Sequence, residues 1–171
     1  AKAANEIEKL NWIIVPHHVD AASIAECKSH FPKAITLTAL LASKQHFTLP
    51  TIIIVDQIGI LRSLYQYAFI SYVGGGFGKD GVHNVLEPAA FGKPVIWGKN
   101  DSKYREAIGL RNEGGGFSIQ NAAALIEQIQ LLKSSEQTYT ETSKKAAQYI
   151  IDNAGATPKT IEYLKEQQFL K

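Results

Sequence analysis

The stretch that decides the fold runs from Phe69 to Lys99, FISYVGGGFGKDGVHNVLEPAAFGKPVIWGK. It opens with an apolar, β-rich run (Phe69, Ile70, Tyr72, Val73), passes through a glycine-dense segment, resumes as a short helix and closes on a second apolar run, Pro94 to Trp97. That pattern reads as strand, loop, helix, strand. Gly74, Gly75, Gly76 and Gly78 free the backbone to approach a ligand closely, while the helix behind them aims unpaired N–H groups at the loop. An anion is expected there.

The loop matches neither common glycine fingerprint. Gly78-Lys79 is followed by Asp80 where a phosphate loop needs Ser or Thr, and Gly74 to Gly78 misses the G-x-G-x-x-G spacing of a dinucleotide site. Pro88 is tolerated only near a helix start, so the helix is expected to begin close to His83 or Asn84 and to end at Gly92 and Pro94. His83, Asn84 and Glu87 would then share its first turn. Two readings stand side by side. In one, Asn84 is the N-cap, Glu87 closes a capping box and His83 is a hydrogen-bonded loop residue. In the other, N–H groups with His83 or Asn84 hold a phosphate, and Glu87 accepts hydrogen bonds from the two vicinal hydroxyls of a ribose.

Outward from this stretch, strands and helices alternate. Ala3 to Leu10 reads as a helix, Trp12 to Val15 as a buried strand stopped by Pro16, and Asp20 as the cap of a helix reaching Phe31. Ala34 to Leu37 is a further strand candidate, Leu40 to Pro50 a connection, Thr51 to Val55 a β-branched strand, and Ile60 to Tyr67 a helix. Beyond the central stretch come a helix over Asp101 to Leu110, a strand over Phe117 to Ile119 and a periodic helix capped by Asn121. Two more helices close the chain, Glu136 to Asn153 and Pro158 to Gln168, the latter with Thr157 and Pro158 at its cap and first turn. The fold class is therefore α/β, a Rossmann-like parallel sheet with helices on both faces and a helical C-terminal segment. Four polar segments follow strands: Pro16-His17-His18, Asp56 to Gly59, Gly74 to Asn84 and Gly98 to Asn100. They are expected to converge on the sheet's C-terminal edge.

With 171 residues, 45% of them hydrophobic and 20% charged, the chain is expected to form a single domain over 1–171. A net charge of +2 without a dense basic block gives no support to nucleic acid or a membrane surface as partner. Cys27 reads as a buried thiol and has no second cysteine to bridge. No apolar run reaches membrane-spanning length and no signal peptide is visible, so a cytoplasmic protein is expected. The absence of methionine, at position 1 as elsewhere, points to a piece of something longer. No metal is expected, because adjacent His17 and His18 on an extended segment would point to opposite sides. His30 and His46 read as ordinary surface residues, and Lys99, Lys103 and Arg105 as a solvated helix face or a partner for an anionic donor or lipid phosphate.

The signature G-G-G-x-x-x-x-G-x-H-N-x-L-E-P-A from Gly74 to Ala89, with Pro16-His17-His18 and the D-x-x-G-x-L of Asp56 to Leu61 ahead of it, resembles a known family. It looks like the C-terminal, donor-binding half of the 3-deoxy-D-manno-octulosonic acid (Kdo) transferases. These glycosyltransferases, of the two-Rossmann-domain (GT-B) type, move Kdo from CMP-Kdo to a lipid A precursor in lipopolysaccharide biosynthesis. The resemblance spans Trp12 to about Asn121. It implies that Gly75, Gly76, His83 and Asn84 surround the donor phosphate, that Glu87 binds the cytidine ribose, and that Gly59 with Ile60 lines the base pocket. His18 would approach the phosphate or the Kdo carboxylate.

The resemblance also implies that the general base and the lipid A precursor site belong to an N-terminal domain, at the cytoplasmic face of the inner membrane. This chain would then hold no catalytic residue and, alone, no transfer activity; no cofactor is implied. The chain departs from the pattern in three places. His17 stands where many relatives have Arg, Ile60 where many have Glu, and the family's opening strand has no counterpart before Trp12. That strand would lie mid-sheet, so its loss should leave a gap or force neighbouring strands together, and the chain is expected to self-associate through exposed strand edges or to rearrange. Two alternatives stay open: a GT-B donor domain for a UDP-sugar, and a non-catalytic nucleotide-binding module.

Overall fold

The computed structural model describes residues 1–7, 9–43 and 51–169. His46 and the later part of the connection read over Leu40 to Pro50 lie outside the described residues. In chain order the first elements are α1 (Lys2–Glu6), β1 (Trp12–Ile14), α2 (Ala21–His30), β2 (Ile35–Thr36), α3 (Leu37–Ala42) and β3 (Ile52–Ile54). Next come α4 (Leu61–Leu64), continued by a 3-10 turn over Tyr65–Tyr67, β4 (Ser71–Val73), α5 (Leu86–Ala90) and β5 (Val95–Gly98). The chain finishes with α6 (Arg105–Asn112), β6 (Gly116–Ile119), α7 (Ala122–Ser134), α8 (Glu136–Asn153) and α9 (Ala156–Glu166). It divides into two compact units, residues 1–68 with 119–135, and residues 69–118 with 136–171.

The first unit carries a sheet in the order β1-β3-β2. Both pairings are parallel, with Ile13 beside Ile53 and Ile35 also beside Ile53, so the β-branched run of β3 lies in the middle. Asp20 caps α2 by accepting the Ser23 N–H at 2.8 Å, as the sequence suggests. The strand read over Ala34 to Leu37 is shorter than its composition implies. Thr36 turns from strand to N-cap, accepting the Ala39 N–H at 3.3 Å, and α3 starts at once. The periodic stripe of α7 buries Ile126, Ile129 and Leu132, and α1, with Ala3 buried, packs on that helix.

The second unit carries the sheet β4-β5-β6, with β4 and β5 parallel and Val73 beside Trp97. Its core joins Val73, Val95 and Trp97 of the strands to Val85 and Ala89 around α5, Ala107 and Leu110 of α6 and Ala146 of α8. Each fully buried aliphatic side chain contributes about 1.5–3 kcal/mol of burial free energy. Two sheets of three strands stand where the sequence suggests one sheet with a gap, and their outer strands are β1 and β2 in one, β4 and β6 in the other.

Three helix starts differ from expectation. The helix read from Asp101 begins at Arg105, because the intervening residues form a loop in which Tyr104 N–H donates to the Asp101 carbonyl at 2.9 Å. The last helix begins at Ala156 after Gly155, whose φ of 92° makes the left-handed turn between α8 and α9, so Pro158 is the third helical residue. The third difference concerns the site.

Candidate functional site

Parallel strands bring the segments behind their C-terminal ends to one edge of a sheet. In the first unit that edge carries Pro16-His17-His18 behind β1 and Asp56 to Gly59 behind β3. In the second it carries the glycine loop behind β4 and Gly98 to Asn100 behind β5.

The glycine loop is folded back on itself. His83 N–H donates to the Gly74 carbonyl at 3.1 Å and Gly78 N–H to the Gly75 carbonyl at 2.8 Å. Gly75 has a φ of 86°, and the ring of His83 lies so close that a Cβ at Gly75 would fall 2.9 Å from His83 Nε2. Gly76 is pressed against Gly98: a Cβ on Gly76 would sit 2.6 Å from both the nitrogen and the oxygen of Gly98. Asn100 ties the two loops together, its N–H donating to the Gly76 carbonyl at 2.8 Å and its Nδ2 to the Gly78 carbonyl at 3.0 Å.

Helix α5 begins at Leu86, later than Pro88 suggests. Asn84 explains the delay. Its Oδ1 accepts the Leu86 N–H at 3.0 Å, an Asx turn that holds Asn84 and His83 ahead of the helix as exposed loop residues, and leaves Glu87 alone in the first turn. The Asn84 side chain also donates from Nδ2 to Glu87 Oε1 at 3.1 Å. The capping box does not form as expected: the N-cap of α5 is Val85, and Asn84 instead satisfies the Leu86 donor from an Asx turn while its side-chain amide holds the Glu87 carboxylate. Among the described residues Glu87 Oε2 has no hydrogen-bond partner, and a carboxylate has about four lone-pair sites. Acceptor capacity for a diol remains.

In the first unit His18 is exposed, Gly59 is exposed with a φ of 88°, and Ile60 is half-buried at the start of α4. His17 and His18 do not point to opposite sides. Their rings meet edge to face at 4.5 Å, because the chain bends directly after Pro16 rather than staying extended. Among the described residues no group of three His, Cys, Asp or Glu side chains is arranged to hold a metal ion. Asp56 sits behind β3 and accepts both the N–H and the Oγ1–H of Thr38, each at 3.0 Å. Burial pushes its carboxyl up, but those hydrogen bonds outweigh it and hold the group below its ordinary value of 3.8.

Sequence reasoning passed over Asp101. Its buried carboxylate accepts the indole N–H of fully buried Trp97 at 2.9 Å and an Arg111 guanidinium N–H at 2.5 Å, both on Oδ2. The strand end, the loop before α6 and the last turn of that helix are thereby joined. A Trp four residues before an Asp in a strand-end loop is the only local signal for it. Tyr104 escaped for the same reason; its hydroxyl donates to the Asp80 carbonyl, clasping the far end of the glycine loop.

A parallel pairing of β4 and β5 that delivers a doubled-back glycine loop, a histidine and a hydrogen-bonded Asn–Glu pair to its C-terminal edge defines a Rossmann-like domain. By sequence the chain belongs with the Kdo transferases. It is 36% identical over 139 residues to the 3-deoxy-D-manno-octulosonic acid transferase of Aquifex aeolicus, covering 78% of this chain and 37% of that protein. The corresponding transferase of Haemophilus influenzae is 32% identical over 67% of this chain and 27% of its own length. A bifunctional glycosyltransferase/methyltransferase of Fusobacterium nucleatum is 31% identical over 75% of this chain and 20% of its own. The chain thus spans 20% to 37% of the length of these curated relatives. In fold it resembles the C-terminal CMP-Kdo binding domain of WaaA from Acinetobacter baumannii, with a TM-score of 0.69 and 18% identity over 81% of this chain and 72% of that one. No protein-family model matches the chain. Among the described residues no helix is long and apolar enough to cross a membrane.

Proposed function

We propose that residues 1–171 form the nucleotide-sugar donor domain of a Kdo transferase and that the ligand is CMP-Kdo. The observation that carries this reading is the Asn84–Glu87 pair at 3.1 Å, with one carboxylate oxygen unpartnered beside a glycine loop folded for close approach. The backbone at Gly75 and Gly76, with His83 and Asn84, takes the CMP phosphate, and Glu87 takes the ribose hydroxyls. From the first unit, Gly59 and Ile60 are assigned to the base, and His18 to the phosphate or the sugar carboxylate, on the family pattern alone. As the glycosidic bond breaks, negative charge accumulates on the departing CMP phosphate, and preorganised N–H donors stabilise it. The general base and the lipid A precursor site are assigned to the remainder of a longer enzyme working at the cytoplasmic face of the inner membrane. The isolated chain is then inactive, and turnover of CMP-Kdo with a lipid A precursor by this chain alone would refute that assignment.

Calorimetric titration with CMP, UDP and ADP tests the nucleotide. CMP should bind most tightly, and a preference for UDP would overturn the Kdo assignment. Glu87→Ala should weaken CMP binding by roughly tenfold to a hundredfold, the range for losing a charge-assisted hydrogen bond of about 1.5–3 kcal/mol. The fold should survive. Unfolding with unchanged CMP affinity in the folded fraction would instead reduce Glu87 to a helix-capping role.

A further inference from the structure

Beside the nucleotide cradle lies a second feature that the reading above does not use. A cavity of about 240 Å³ opens between the far side of the glycine loop and the segment joining β5 to α6. Lys79 lines it from the first, and Lys99 and Lys103 from the second, together with Ser102 and the ring of Tyr104. One carboxylate, that of Asp80, also lines it, so the lining carries a net charge of +2 from three lysines less one aspartate. None of the three lysines forms an ion pair among the described residues.

Like charges brought together around one concavity raise the local potential, and the walls focus it. Asn100 bonds to the Gly76 and Gly78 carbonyls, Tyr104 bonds to the Asp80 carbonyl, and Asp101 is anchored on Trp97 and Arg111, so both walls are tied to each other and to the core. The smaller cavity of about 70 Å³ at Glu113, Lys145 and Asp152 is different: its two carboxylates outnumber its lysine, and it selects no ligand of one sign.

We propose that the lysine-lined cavity is an oxyanion site, which takes a carboxylate or phosphate group and adjoins the phosphate cradle at Gly75, Gly76 and His83 through Gly81. Three ammonium groups and the Ser102 hydroxyl supply donors without an obligatory geometry, which suits a compact multivalent anion better than a planar base. At about 240 Å³ the cavity has room for an anionic group carried on a sugar as well as for a bare ion. Two sources share this chemistry: the carboxylate of a sugar acid on the donor, and a phosphate on a sugar acceptor. The choice of these two sources rests on the Kdo transferase reading, whereas anion binding by the cavity itself does not depend on which nucleotide the chain takes.

The test uses the isotopically labelled 171-residue chain at low ionic strength, saturated with CMP. Inorganic phosphate, Kdo and glucose 1-phosphate are titrated separately while the amide resonances are followed. Saturable shifts are expected at Lys79, Ser102 and Lys103, with dissociation constants raised at least threefold by Lys99→Gln and again by Lys103→Gln. These exposed substitutions should leave the near-ultraviolet circular dichroism unchanged. Tighter binding of Kdo than of glucose 1-phosphate assigns the carboxylate source, and the reverse order the phosphate source; either supports the site. Shifts confined to Gly75, Gly76 and His83, or dissociation constants unmoved in both variants, overturn it. Failure of CMP itself to bind would refute the nucleotide reading while leaving the lysine site to be judged by the same phosphate titration.

Discussion

Asp101→Ala is the perturbation that most directly probes how the site is held in place. The carboxylate is nearly inaccessible, with a side chain 6% exposed, and its Oδ2 accepts from Trp97 Nε1 at 2.9 Å and from Arg111 at 2.5 Å. Removing it leaves the indole N–H of a fully buried tryptophan without an acceptor, at a cost of about 1–3 kcal/mol. Arg111 is 40% exposed, so its released charge can turn to water, and loss of that half of the network adds at most about 1 kcal/mol. The total comes to roughly 1–4 kcal/mol. Asp101→Asn retains an acceptor for Trp97 and gives up the charge, so it should cost about 1 kcal/mol. Urea unfolding followed by tryptophan emission measures both values, since Trp97 passes from full burial to water and reports directly. A cost for Ala below about 0.5 kcal/mol, or equal costs for Ala and Asn, would show that the buried indole bond is not what anchors the strand-end loop.

Gly76→Ala should be far worse than Gly74→Ala. The new methyl at 76 would meet Gly98 backbone atoms at 2.6 Å, which cannot move aside cheaply, whereas a Cβ at Gly74 has open space; we expect a loss of about 1–3 kcal/mol and weakened CMP binding for the first, and near-wild-type urea midpoints for the second. Asp56 makes stability depend on pH in acid. Because its folded-state value is depressed, its contribution is complete above an unfolded value near 3.8 and is lost as the pH falls through the lower folded value. Asp56→Asn should therefore flatten the stability profile below about pH 4, and Thr38→Ala should move the Asp56 carboxyl upward in a ¹³C titration; an unmoved titration would remove the Thr38 bonds as the cause.

Much of this molecule is legible residue by residue. The β-branched runs at Trp12 to Val15 and Thr51 to Val55 become strands, and Asp20 and Asn121 cap the helices they precede, Asn121 by accepting the Ala124 N–H at 3.0 Å. Glu136–Asn153 is helical over the span its composition suggests. These features depend on neighbours within one turn or one pleat, so local sequence suffices to specify them. The errors are local competitions that composition alone does not rank. Asn84 uses its carbonyl oxygen in an Asx turn and so delays α5 to Leu86, Thr36 caps where a strand was expected to continue, and a bend after Pro16 brings His17 and His18 together.

The sequence by itself determined that a glycine loop, a histidine and an Asn–Glu pair would follow a strand, because strand and helix periods and the steric demands of Gly and Pro act over a few residues. Only the tertiary structure decided what those residues meet. Gly76 needs its missing side chain because of Gly98, Asn100 stitches one loop to the other, and Asp101 secures both through Trp97 and Arg111. The three lysines share a cavity only because β4 and β5 lie side by side in parallel register. The contacts between the two loops join residues 22 to 24 positions apart, and no local propensity encodes them; they follow from which strands pair and how the core beneath them closes.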